Sequence, residues 1–320
     1  MLDYRVETFL VVCREMNYTK AAEVLNITQP NVSQHIKWLE DLYQQKLFAY
    51  QGRKLILTPA GEVMKKAAIA IRHEEKLLRQ QMAAVQDQKK PLAFGVTKSI
   101  SEGFMKMSIN HFLEKYTGDR IYFSVNNTHQ LLEEINNMKL DFAIVEGNFD
   151  KNIYDYIVLT KERFIPVCAA DYVFKKEITC LEDLVEEPFI IREQGSGSRE
   201  ILENMLGSRN YTFQNFQSVL EIGDISITKE LLKGGRGIAF LYEMAVEQEL
   251  QTGRLKEIRL GDWDVRHEFA LVWLKTKHFF YYYQELAEHL KNSMSVTKRT
   301  MTEQNIKEMK DTFKKKVTEV

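Results

Sequence analysis

The sequence predicts an α/β protein in three parts: a small helical module with a wing, one long helix, and a two-lobed α/β domain. Three observations carry this. Short helical patterns with their caps crowd the N-terminal region, a stretch of about 30 residues without a breaker follows, and from Pro91 onward apolar runs of strand length alternate with helical segments. A chain of 320 residues is long enough for two or three such domains.

Taken in order, Leu2, Val6, Phe9, Leu10 and Cys13 recur at helical spacing and predict a first helix. Thr19 is expected to cap a second helix through Ala21, Ala22 and Leu25, and Thr28 a third. In that third helix Pro30 falls in the first turn, where a missing N–H costs nothing. Val32, Ile36, Leu39 and Tyr43 form its expected buried face, and Gln29, Asn31, Ser33, Gln34 and Lys37 lie opposite. Leu47 and Phe48, a Gln51-Gly52 turn, Arg53-Lys54 and the run Leu55-Ile56-Leu57 predict a small hairpin, or wing.

Thr58-Pro59 is a start signal for the long helix, which meets no breaker before Pro91 and would measure roughly 45 Å at ~1.5 Å per residue. Its positions Met64, Ile71, Leu78 and Val85 form an apolar heptad seam, whereas the neighbouring register, Ala60, Ala67, Glu74 and Gln81, is mixed. Such a stripe needs a cover, either a second copy of the chain or the chain's own body. Expected strands are Leu92 to Val96, Ile121 to Val125, Asp141 to Val145, Phe164 to Cys168, Pro188 to Arg192, Val219 to Ile222, Gly237 to Leu241 and Glu268 to Leu274. Turns expected at Leu159 to Phe164 and Arg266 to Phe269 would mark two crossings between lobes. The resulting division is 1–58, 59–90, 91–292 and a basic extension, 293–320, in which Ile306, Met309, Phe313 and Val317 fall at helical spacing.

The net charge of -1 conceals a segregation. Residues 1–90 hold 14 Lys and Arg against 10 Asp and Glu, residues 91–290 hold 22 against 31, and residues 291–320 hold 8 against 4. A basic N-terminal module on an acidic body points to a polyanionic partner for the first part alone. No run approaches the roughly 18 apolar residues of a membrane-spanning helix, and MLDYRVETFL lacks the basic-then-apolar order of a signal peptide, so a cytoplasmic protein without a membrane partner is expected. Cys13, Cys168 and Cys180 lie far apart; neither a disulfide framework nor a metal pattern is expected, and no cofactor.

Residues 18–43 have the lengths and caps of a helix-turn-helix whose second helix would enter the major groove. The string AAEVLNITQPNVSQHIKWLE, followed by KLFAYQGRKLILTPAG, resembles the winged helix-turn-helix of LysR-type transcriptional regulators. The resemblance continues to about Asn292 and implies a linker helix followed by a two-lobed effector-binding domain of periplasmic-binding-protein type. It implies that Thr28, Gln29, Pro30, Ser33 and Gln34 meet promoter DNA, with Lys37, Arg53 and Lys54 on phosphates, and that the chain is a homodimer or tetramer and no enzyme. Gln and Asn pair bidentately with adenine, while Lys and Arg supply the salt-sensitive phosphate term. The sequence departs from the family at Gln34, where many relatives carry Arg, and at Ala49-Tyr50-Gln51, where Glu-Arg-Thr is common.

A second constellation, Arg192-Glu193-Gln194-Gly195-Ser196-Gly197-Ser198-Arg199, lies between a strand and a helix. Its glycines either let backbone approach a ligand or merely permit the turn; a helix start also offers unpaired N–H groups to an anion. The resemblance implies that this loop lines the effector cleft, giving Ser196, Gly197 and Ser198 as contacts of a small, anionic metabolite together with Thr97, Ser99 and Thr128. NNTHQLLEEINNMKLDFAIVEG and REQGSGSR are most similar to the sulfur-sensing branch of the family. Rival readings are a small-molecule-binding protein without DNA function and an enzyme built on Ser226 and Lys229, whose SxxK spacing lacks SDN and KTG companions. His73-Glu74-Glu75 lacks the second histidine of HExxH, and Gly234-Gly235-Arg236-Gly237 enters a strand rather than leaving one.

Overall fold

The computed structural model of the chain describes residues 3–85, 92–116, 120–261, 263–276 and 278–295. Two compact units emerge, one of Met1–Lys90 with Leu274–Phe280 and one of Pro91–Trp273 with Tyr281–Val320. The first contains α1 (Tyr4–Glu15), α2 (Tyr18–Leu25), α3 (Gln29–Tyr43), the strands β1 (Phe48–Gln51) and β2 (Lys54–Leu57), and α4 (Pro59–Val85). Each short helix starts on a side-chain cap and stops on a left-handed residue, Met16, Asn26 or Gln44, so three helices fit into little more than 40 residues. The α2 cap is Asn17, which accepts from the N–H groups of Thr19 and Lys20, and not Thr19 as expected. Asn17 lies in extended backbone immediately before the helix, which is where a cap must sit.

Phe9, Val12, Ala21, Val32, Ile36, Leu39, Leu47, Phe48, Leu55 and Ala68 form the core of this unit. Tyr43 is 58% exposed, against the expectation that it belongs to the buried face. The next turn of that face is instead Glu40, whose carboxylate accepts from the buried Leu47 N–H at 2.9 Å and from Lys46 Nζ at 2.6 Å. Glu40 thereby joins α3 to the entry of the hairpin. β1 and β2 pair in register from Phe48 with Leu57 to Gln51 with Lys54, leaving Gly52 and Arg53 as the turn; Gly52 takes φ +63°. Thr58 caps α4 by accepting from Gly61 N–H at 3.0 Å. Along α4, Ile71 and Leu78 of the apolar seam remain 54% and 53% exposed, and Met82 joins them at 64%. Val85 and the residues 296–320 of the extension lie outside the described side chains and residues.

The second unit opens with β3 (Leu92–Thr97), α5 (Lys98–Ile100), a π turn at Ser101–Met105 and α6 (Lys106–Leu113). β4 (Ile121–Asn126), α7 (Thr128–Asn136), β5 (Phe142–Val145) and β6 (Tyr154–Ala169) follow. Then come β7 (Pro188–Arg192), α8 (Gly197–Ser208), β8 (Ser218–Ile222), α9 (Ile225–Lys233), β9 (Ile238–Tyr242) and α10 (Glu243–Gln251). β10 (Leu255–Glu257), β11 (Arg266–Leu274) and α11 (280–295) complete it. The strand order is β4-β3-β5-β11-β6-β9-β7-β8, with β10 on β6. Two parallel trios, β4-β3-β5 and β9-β7-β8, are thus joined through β11 and β6, which run antiparallel to β5 and β9.

All eight expected strands are present, within a few residues at their ends, except that β6 begins ten residues early. Leu159 to Phe164 and Arg266 to Phe269 are not turns: the chain crosses between the lobes on extended strands. The charges there are paired with neighbouring elements, Lys161 with Glu268 at 3.0 Å and Arg163 with Glu243 and Glu257 at 2.9 and 2.6 Å.

Replacing Glu40 with alanine leaves the buried Leu47 N–H without its acceptor, and should cost about 1–3 kcal/mol of stability. Urea unfolding of the variant beside wild type measures this; an unchanged midpoint would remove Glu40 as the pin.

Candidate functional site

Two groups of residues were singled out by the sequence, and each lies within one unit. In the N-terminal unit α3 begins at Gln29 because Thr28 Oγ1 accepts from Asn31 N–H at 3.4 Å and Pro30 occupies the first turn. Val32, Ile36 and Leu39 hold the helix down, and Thr8 on α1 meets His35 Nδ1 at 2.9 Å. Thr28, Gln29, Pro30, Gln34 and Lys37 are left exposed and Ser33 half-buried. Gln29 Nε2 donates to Ser33 Oγ at 2.9 Å, which holds both side chains along the helix. Arg53 stands in the hairpin turn and Lys54 opens β2; both are exposed. No ion pair engages Lys37, Arg53 or Lys54 among the described residues, so their charges are available to a polyanion.

In the second unit the parallel strands deliver polar groups at their C-terminal ends, where open α/β sheets bind ligands. β3 ends in Thr97, followed by Lys98 and Ser99; Glu146 follows β5; β7 ends in Arg192 and β9 in Tyr242. Thr97 Oγ1 donates to the Glu146 carboxyl, which also hydrogen-bonds the Ser99 hydroxyl. Arg192 Nη1 donates to Ser99 Oγ at 3.4 Å. Thr128, the first residue of α7, donates its hydroxyl to the Glu146 backbone carbonyl at 2.9 Å. From the other half, the start of α8 presses on the same residue: a Cβ at Gly197 would strike the Glu146 carbonyl and lie 2.8 Å from Thr128 Oγ1. Ser196 and Ser198 hydrogen-bond each other at 2.9 Å.

Of the six residues expected to line the cleft, Thr97 and Ser99 meet the Glu146 carboxyl, Thr128 and Gly197 meet its backbone carbonyl, and Ser196 and Ser198 flank Gly197. Glu146, Thr97 and Ser99 are each 2% exposed. Burial pushes the Glu146 carboxyl above its usual range, against the pull of Thr97 and Arg192. Beside it Glu193 accepts from Arg192 Nε at 3.0 Å and Lys98 Nζ at 2.8 Å, while Lys98 also reaches the Gly223 carbonyl at 2.6 Å. Burial works against ionisation of Glu193, yet Arg192 and Lys98 hold its carboxyl below the usual range. Lys98, Glu146 and Tyr242 were not singled out by the sequence, and Arg192 was named only as the end of a strand and the first residue of the glycine-rich loop. A common signal could have found Glu146 and Tyr242: a polar residue directly following the apolar runs DFAIV and IAFL.

A recess of about 220 Å³ lined by Thr128, Gly195 and Ser196 with His129, Gln194 and Arg199 adjoins this cluster. Arg199 is held by Glu203 and Glu221 at 2.8 and 2.7 Å. A larger recess, about 550 Å³, is lined by Lys151, Tyr156, Lys161, Arg266 and His267, and shares none of the expected contacts. Ser226 donates to Glu102 at 3.1 Å, and Lys229 pairs with Glu102 and Glu249 at 3.4 and 3.2 Å, so the SxxK residues meet carboxylates and not each other. Among the described residues no three His, Cys, Asp or Glu side chains could hold a metal ion, and no helix is long and apolar enough to cross a membrane.

Residues 4–62 match the family of bacterial regulatory helix-turn-helix proteins of LysR type, and residues 86–295 match the LysR substrate binding domain. The HTH-type transcriptional activator CmpR of Synechocystis sp. is 28% identical over 291 residues, 90% of this chain and 94% of that protein. A probable RuBisCO transcriptional regulator of Thalassiosira pseudonana is 23% identical over 299 residues, 88% of this chain and 95% of its own. Among solved structures, full-length LysG of Corynebacterium glutamicum with bound effector Arg has the same fold, with a TM-score of 0.63 at 15% identity over 92% of this chain and 98% of LysG. These relatives lend no support to the sulfur-sensing branch, and that expectation is corrected. They are regulators and not enzymes, which also disposes of the enzyme reading built on Ser226 and Lys229. The helix-turn-helix at one end and the two-lobed effector-binding domain behind it place this chain in the LysR family of DNA-binding transcriptional regulators.

Proposed function

We propose that α3 and the wing read promoter DNA, that α4 joins two copies of the chain, and that a small anionic metabolite held between the lobes modulates promoter binding in the cytoplasm. On this reading residues 1–58 recognise DNA, residues 59–90 dimerise and residues 91–292 sense the effector. The observation that carries it is the convergence of Thr97, Ser99 and Thr128 from one half, and of Arg192 and the Gly197 helix start from the other, on Glu146. A ligand seated there touches both halves, so its binding energy differs between their possible placements, which is the requirement for an effector to act. The hydroxyls already receive a carboxyl group, and Lys98 and Arg192 stand beside them; both facts favour an oxyanion. The names of the relatives turn the choice of candidates toward acids of carbon metabolism. Titrating such acids into a promoter-binding assay tests the reading, and a response should be lost in Ser99→Ala.

Gln29 and Ser33 supply donors and acceptors at the start of α3, where a recognition helix meets base edges. Their mutual hydrogen bond keeps both oriented without tying either to the body of the unit. The exposed seam of α4 is explained by a partner helix, and the exposed apolar residues of the two outermost strands, Tyr122 and Phe123 on β4 and Leu220 on β8, support further association into a tetramer.

Gln29→Ala or Ser33→Ala should weaken binding to the cognate promoter by about 1–3 kcal/mol and leave nonspecific binding nearly intact. Arg53→Ala or Lys54→Ala should weaken both, each lowering the slope of log affinity against log salt by about 1. Fluorescence anisotropy over a salt series separates the two patterns; equal losses on both DNAs for Gln29→Ala would remove it from base reading. Ile71→Asp combined with Leu78→Asp should shift the chain to monomer in sedimentation velocity, and an unchanged mass would move the dimer contact off α4.

A further inference from the structure

β9 ends in Tyr242, which is 1% exposed. Its ring is clamped by Phe164 of β6 at 5.0 Å and, edge-on, by Phe269 of β11 at 4.7 Å, so both crossing strands fix its direction. Its hydroxyl has no hydrogen-bond partner among the described residues, and it stands at the end of β9 next to β7, which ends in Arg192. A buried hydroxyl without a partner is unfavourable, and phenylalanine would fill the same volume without that cost. The surrounding polar groups are already committed: Thr97 and Ser99 to Glu146, and Arg192 to Glu193 and Ser99. At the ends of the parallel strands, Tyr242 is the rigid donor left over.

We propose that Tyr242 is an effector-contacting residue, its hydroxyl donating to an oxyanion oxygen, carboxylate or phosphate, of the molecule bound between the lobes. The inference rests on the effector reading above and adds to it a residue that the resemblance did not assign. β7 and β9 pair in parallel with Ile190 opposite Ala239, so Arg192 and Tyr242 end neighbouring strands and an oxygen bound at those ends has the orphan hydroxyl on one strand and a guanidinium on the next. Glu146 stands close by, and burial, which favours its uncharged form, reduces its repulsion of an incoming anion. Because the Tyr242 ring rests on both β6 and β11, a ligand held by it is referenced to the two strands on which the halves join.

The test compares the full-length chain with Tyr242→Phe, using calorimetry with acetate, inorganic phosphate and 2-phosphoglycolate as probes, the first two separating a carboxylate from a phosphate site. At least one probe should bind wild type saturably, and Tyr242→Phe should bind it tenfold or more weakly while the melting temperature without ligand stays the same or rises. Equal affinity in the two proteins, as when the hydroxyl meets only water, overturns the proposal. So does a lower melting temperature of the unliganded variant, which would mean that the hydroxyl already holds the fold together. Failure of all three probes to bind wild type overturns it as well. Promoter binding by wild type is measured in parallel: its loss would sink the regulator reading itself, whereas its retention confines any failure to Tyr242.

Discussion

Burying a carboxyl group between two lobes is costly unless its oxygens are met, and the second unit is arranged around meeting those of Glu146. The side chain takes Thr97 and Ser99 from the end of β3, and its backbone carbonyl takes Thr128 from the start of α7. The same carbonyl requires a glycine at position 197, because α8 begins against it. Arg192, at the end of β7, adds charge from the other half and is itself fixed by Glu193, which also anchors Lys98. The starts of α7 and α8 and the glycine at position 197 thus meet on one residue. Burial there works against the ionised form of the Glu146 carboxyl.

The N-terminal unit solves a different problem with the same economy. A helix meant to face a groove cannot spend its outer side chains on the body that supports it. α3 is therefore held by an apolar inner face, by His35 against Thr8, and by Glu40 against the hairpin entry. On its outer face Gln29 and Ser33 hydrogen-bond each other. Among the described residues no carboxylate pairs with Lys37, Arg53 or Lys54, although acidic residues are plentiful in the unit.

Much of this was legible from the sequence because it is local. Apolar runs bounded by turn residues located the strands, and Thr28 with Pro30 located the start of α3. What failed was set by residues distant in sequence. Lys161, Glu162 and Arg163 look like a turn until Glu243, Glu257 and Glu268 are brought beside them to neutralise a strand interior. Tyr43 fits the helical period, but the hairpin needs a carboxylate acceptor one turn earlier, and Glu40 takes the buried place. For the cleft, residue types and neighbourhood were readable: Thr97, Ser99, Thr128, Ser196, Gly197 and Ser198 do come together. That Thr97 and Thr128 both donate to Glu146, 49 residues after Thr97, is a product of the strand order and has no local signature.

The continuity of β6 and β11 has a mechanical consequence. A paired ladder resists sliding, since shifting register by one residue turns every side chain to the wrong face, but it yields to changes of twist. With two adjacent ladders forming the spine of the sheet, the halves are stiff to shear and compliant to torsion. A rotation of one half about those strands therefore disturbs the pairing less than a slide of one half along them.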